Sequence, residues 1–146
     1  MPETELTLDP AAARSLAHWH GMVARRDLSR LPEIVAPEAV FRSPTLLRGF
    51  ETAPALVMAI ETVNTVLEDF ACQREFATAD GRSVVIEFSA RLGDKRLKGI
   101  DMIRFGDDGR IVDFEVMVRP LNALKLLGEA MSARLGEALI AYKGAS

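Results

Sequence analysis

The sequence predicts an α+β chain in which helices and strands are segregated. Apolar residues recur at helical spacing through about the first 66 positions, alternate from about 68 to 119, and return to helical spacing after Pro120. Turn signals at Asp80-Gly81, Gly93-Asp94 and Asp107-Asp108-Gly109 cut the alternating stretch at hairpin-like intervals. The implied order is three helices interrupted by a short strand, then a four-stranded antiparallel meander, then a closing helix.

Asp9-Pro10 reads as a helix start, because an Asp side chain accepts from the first free amides and Pro is pre-set for the first helical position. The helix runs to about Arg26 with Leu16, Trp19, Met22 and Val23 on one side. A second, shorter helix is expected over about Leu28 to Val35, ending before Pro37. Ala39 to Ser43 is β-rich and stopped by Pro44, which reads as an edge strand. A third helix, Thr52 to Val66, tolerates Pro54 in its first turn and carries Leu56, Ala59, Ile60 and Val63 at helical spacing. The meander strands are expected at about 68–79, 83–92, 95–106 and 110–119. The last helix presents Leu124, Leu127, Met131, Leu135 and Leu139 as one apolar stripe, and Gly128 and Gly136 within it suggest close packing or a break.

Strand alternation assigns the faces. Val84, Ile86, Phe88 and Ala90 face the core, as do Val112, Phe114, Val116 and Val118. Glu87, Arg91, Met102, Arg104, Glu115, Met117 and Arg119 face outward, a mixture of Met, Arg and acids that matches interface composition. A homodimer through this outer sheet face is therefore expected. A one-residue error in the face assignment would instead bring Glu87 and Glu115 together inside.

The 146 residues, 49% hydrophobic and 27% charged, suit one compact domain over 1–146. Eighteen basic and 21 acidic residues are spread along the chain, so no basic stripe or polybasic segment offers itself to nucleic acid or anionic lipid. The N-terminus lacks a positive start and an apolar stretch, and no apolar run is long enough to span a bilayer. A cytoplasmic protein without membrane or nucleic-acid partners is expected. The single Cys72 has no intrachain disulfide partner and reads as a small hydrophobe.

The residue that stands out is Asp101, in the run Lys98-Gly-Ile-Asp-Met-Ile-Arg-Phe105. Alternation puts it on one face with Gly99, Ile103 and Phe105, and an ionised acid on an apolar face costs several kcal/mol unless it is partnered or protonated. A hydrogen bond to the Trp19 indole is the structural alternative to a role in a pocket. His18 and His20, two apart on a helix, point to different sides and cannot chelate a metal together. No metal or cofactor is implied. His20 is a candidate acid or base if it looks into the cavity.

The chain resembles the nuclear transport factor 2-like superfamily, which includes ketosteroid isomerases, SnoaL-like polyketide cyclases and limonene epoxide hydrolases. Two stretches carry the resemblance: Arg26-Asp-Leu followed by Ala36-Pro-Glu-Ala-Val-Phe-Arg-Ser-Pro44, and Gly99-Ile-Asp-Met-Ile-Arg-Phe-Gly-Asp-Asp-Gly-Arg-Ile-Val112. It implies a cone: a curved antiparallel sheet wrapped around the N-terminal helices, cystatin-like, with a C-terminal helix. By position, Asp101 matches the isomerase acid that donates a hydrogen bond to the substrate oxyanion and is kept neutral by an apolar site. Trp19 falls at the oxyanion-hole tyrosine, where an indole donates but does not accept. Ser43 falls at the catalytic aspartate, and a serine does not shuttle protons near neutral pH unaided, so steroid isomerisation is expected to be absent or weak.

The expected function is binding of an apolar, oxygen-bearing small molecule in a conical cavity. Asp101, Trp19, Ser43 and His20 are the candidate catalytic residues, with Phe41, Met22, Phe88, Ile103, Phe114 and Val116 as walls. The chemistry implied by the resemblance is cofactor-free acid–base work of the isomerase, cyclase or hydratase kind. The alternative is a non-enzymatic ligand-binding or dimeric assembly module.

Overall fold

The computed structural model describes residues 7–45 and 49–144, with side chains as far as 135 in the last helix. Helix α1 spans Pro10–Arg25, a 3-10 turn Leu31–Ile34, strand β1 Val35–Arg42, and helix α2 Ala53–Val66. Strands β2 (Glu68–Ala77), β3 (Ser83–Leu92), β4 (Lys95–Phe105) and β5 (Ile111–Arg119) follow, and helix α3 is Leu121–Gly144. The five strands form one sheet in the order β1-β5-β4-β3-β2. β2 to β5 are the expected antiparallel meander, and β1 joins the far edge parallel to β5.

Several local expectations are corrected. Asp9 does not cap α1 with its side chain; Arg82 takes the carboxylate at 2.6 Å instead. The second helix shrinks to one 3-10 turn, and β1 begins at Val35, four residues earlier than Ala39. Pro37 lies within β1, which is possible because an edge strand has amides that need no ladder partner, and the pairing with β5 is irregular between Val35 and Val40. Cys72 is exposed on the edge strand β2 rather than packed as a core hydrophobe. Strict alternation also fails in β5. A bulge opposite Arg104 and Phe105 makes Val112 the extra residue, so Ile111 is fully buried and Val112 only half so, while Phe114 keeps its inward place.

The glycines of all three hairpins have positive φ, between 62° and 84°, which a residue without Cβ adopts at no steric cost. The concave face of the sheet buries Val84, Ile86, Asp101, Ile103, Phe105 and Phe114 against α1, the 3-10 turn and α2. A second cluster joins Phe88, Ala90 and Leu97 to Val66, Leu67, Ala123 and Leu127, which fastens α3 to the sheet. Arg26, left-handed at φ 54°, ends α1 and donates from its guanidinium to the carbonyls of Asn64 and Leu67, so one side chain ties α1 to the end of α2. In α3, Leu127 and Leu135 are buried and Leu124 and Met131 partly so, while the Leu139 and Gly136 positions lie beyond the described side chains. Gly128 packs closely: a Cβ there would stand 3.1 Å from Thr45 Cγ2. Among the described residues no helix is long and apolar enough to cross a membrane.

Candidate functional site

The concave face and the helices enclose a cavity of about 370 Å³, lined by members of both hydrophobic clusters. Asp101 lies on its wall and is 5% exposed. Strand pairing explains the position. Asp101 is flanked across the ladders by Ile86 on β3 and Val116 on β5, on a face whose other members are hydrocarbon. Among the described residues no hydrogen bond reaches its carboxyl, from Trp19 or elsewhere, and burial alone pushes its pKa up to about 8. At neutral pH the group is mostly a neutral acid, able to donate one hydrogen bond.

Trp19 comes from the buried side of α1. Its ring meets Phe114 edge-on, with centroids 5.3 Å apart and an interplanar angle of 65°, and both line the cavity. Phe41 packs on Phe114 from β1 at 6.3 Å, and Phe88 stacks on Phe70 at 4.9 Å. Phe41, Phe88 and Val116 also line the cavity, so these expected wall residues are brought together. Met22 and Ile103 are buried in the core beside the cavity and do not line it.

Ser43 lines the cavity just past the end of β1, in a turn where its Oγ accepts from the Thr45 amide at 3.1 Å and lies 3.0 Å from Thr45 Oγ1. His20 is elsewhere: its Nε2 lies 2.5 Å from Glu75 Oε1 of β2, half-exposed and outside the lining. Glu87 faces outward and pairs with Arg74, and Glu115 lies beside Met102 on the same outer face, so no carboxylate pair forms inside. Asp101 is the only titratable side chain of the lining among the described residues; the other polar groups are Trp19, Ser43, Thr45, Asn64 and Ser132. No cluster of ligands able to hold a metal occurs among them. Although the residue is exposed at the strand edge, partial desolvation of its thiol, with Asp101 and Glu75 nearby, raises Cys72 above its ordinary range.

Val23, Leu28, Phe50, Phe70 and Val118 also line the cavity, and two helices add residues that the sequence does not assign to the site. Ile60, Val63, Asn64 and Leu67 run along one side of α2, and their i, i+3, i+4, i+7 spacing is the signal that marks such a face. Leu127, Gly128, Met131, Ser132 and Leu135 of α3 roof the cavity. The apolar stripe of α3 was legible as such, and its use as a cover for this chain's own cavity follows from the packing.

A curved sheet closed by helices around an apolar hollow with one buried acid defines a small α+β cone. A SnoaL-like domain model matches residues 16–114, and the chain belongs to that family, within the nuclear transport factor 2-like superfamily. The chain is similar to a solved structure called a steroid delta-isomerase from Pseudomonas aeruginosa, with 60% identity over 93% of this chain and 99% of that one and a TM-score of 0.89. A cystatin-like-fold protein from Silicibacter pomeroyi is 26% identical over 89% and 92% of the two chains, with a TM-score of 0.79. A nuclear transport factor 2-like protein of Mesorhizobium loti shares the fold at 21% identity and a TM-score of 0.67, covering 79% and 100%. No curated protein sequence matches the chain.

Proposed function

We propose that this chain is a cytoplasmic binder of an apolar small molecule carrying a carbonyl or hydroxyl oxygen, which takes a hydrogen bond from neutral Asp101. The observation that carries the reading is the buried, unpartnered acid on the wall of a cavity large enough for a small ligand. Trp19 supplies a second donor type and the aromatic walls supply the contact area. An acid held near neutrality is suited to general acid catalysis on a carbonyl compound, of the isomerase, cyclase or hydratase kind. The 60% identical structure called a steroid delta-isomerase supports chemistry of the isomerase kind on an apolar small molecule. Ser43 at the base position argues against steroid isomerisation by the two-carboxylate route, because a hydroxyl held in a turn is a poor proton acceptor.

A binding role without turnover is the second reading, favoured by the lack of a second titratable group in the described lining. In either case two copies associate through the outer face of the sheet. The test is a fluorescence titration of Trp19, the single tryptophan, with apolar ketones, followed by turnover of enones and epoxides by the parent and Asp101→Asn. Quenching by ketones with much weaker binding by the variant is expected. Equal binding and equal rates in the two proteins would remove Asp101 from the site.

A further inference from the structure

The polar groups of the cavity wall are unevenly distributed. Asp101 stands on the sheet, buried, with hydrocarbon from Ile86 and Val116 on either side. Across the hollow, the lining face of α2 is apolar except for Asn64, and that of α3 is apolar except for Ser132. Each helix therefore interrupts its apolar stripe with one hydrogen-bonding side chain. Asn64 is half-buried and Ser132 exposed, so these two sit at the solvent end of the enclosure, whereas the acid sits at its floor.

Local structure holds both in place. Arg26 donates from its guanidinium to the backbone carbonyl of Asn64 at 2.7 Å, which fixes the last turn of α2. Gly128, one helical turn before Ser132, approaches Thr45 closely and sets this side of α3 against the turn at 43–45. The hydroxyls of that turn engage each other, with Ser43 Oγ and Thr45 Oγ1 3.0 Å apart. Among the described residues the Asn64 side-chain amide and the Ser132 hydroxyl have no hydrogen-bond partner. Both groups donate and accept, and the described lining contains no cation, so the pair suits a neutral oxygen better than a carboxylate.

We propose that Asn64 and Ser132 form a second hydrogen-bonding subsite at the mouth of the cavity, which reads a neutral oxygen at the end of the ligand remote from the one held by Asp101. The ligand class is then an elongated apolar molecule oxygenated at both ends, with one oxygen at the floor and the other at the rim. This rests on the reading of Asp101 as the anchor and adds the ligand's orientation and its second polar end.

Three probes that share one bicyclic skeleton test it by quenching of Trp19: a ketone, the same ketone with a hydroxyl at its far end, and the same ketone with a carboxylate there. The parent is expected to hold the hydroxy-ketone about fivefold more tightly than the plain ketone, the size of one partly exposed neutral hydrogen bond. The carboxylate is expected to bring no such gain, and tighter binding by it overturns the assignment to a neutral group. In the double variant Asn64→Leu with Ser132→Ala the ratio of the two ketone constants is expected to fall to about one, whereas Asp101→Asn weakens both ligands and keeps the ratio. A parent ratio near one, or a ratio that survives in the double variant, overturns the subsite while leaving Asp101 as the anchor. Failure of the plain ketone to bind the parent overturns the reading of Asp101 and the subsite with it. Circular dichroism verifies that the variants fold.

Discussion

Asp101 and Val116 are partners across the β4–β5 ladder, so the buried acid has a valine where a sheet would normally set a charge or hydroxyl against it. With Ile86 on its other side, the carboxyl has hydrocarbon on both flanks. That pairing, more than any ion, is what raises its pKa.

The first prediction concerns pH. An unfolded chain releases the Asp101 proton near pH 4, and the native state holds it until about pH 8. The native state therefore binds more protons between these values, and stability falls as pH rises through that window and levels off above it. Asp101→Asn, which never ionises, removes this fall, by an amount on the order of 5 kcal/mol as an upper bound. Urea unfolding from pH 4 to 9 measures it. Parallel curves for parent and variant would mean that the carboxyl is solvated.

The second concerns the roof. Gly128→Ala gains about 1 kcal/mol of helix propensity but sets a methyl 3.1 Å from Thr45 Cγ2. The gain is expected to be largely cancelled in the single variant and released when Thr45→Ser removes that methyl. A double-mutant cycle by thermal unfolding reads the coupling, and additive effects would show that the turn at 43–45 does not touch α3.

The third concerns the base position. Ser43→Asp places an ionisable oxygen on the cavity wall, within the same enclosure as Asp101. The variant is expected to gain turnover of a β,γ-unsaturated ketone, about a hundredfold over the parent if general base catalysis is what the parent lacks. Absorbance of the conjugated product follows it. No gain would indicate that the turn holds residue 43 out of reach of the α-proton.

Much of the fold was legible because its periods are clean. The alternation in β3 placed Ile86 and Phe88 correctly, and the placement of Asp101 followed from Gly99, Ile103 and Phe105 around it. What failed depended on partners distant in sequence. Asp9 could not be seen to face Arg82, nor His20 to face Glu75, because an ion pair between elements leaves no local pattern. Pro37 read as a stop, yet an edge strand absorbs it. For the site, residue type located the acid, whereas the share of the wall contributed by α2 and α3 required knowing how the helices pack.

The extra residue Val112 marks a point at which this fold can vary. It offsets β5 by one position between Ile111 and Asp113. Without this spacer Phe105 would still stand opposite Ile111 and Arg104 opposite Asp113, so Phe114 and Val116 would keep facing the hollow and the strand would lose only its local kink. A one-residue change of length at this end of β5 is therefore compatible with the enclosure, because the ladder absorbs it as a bulge.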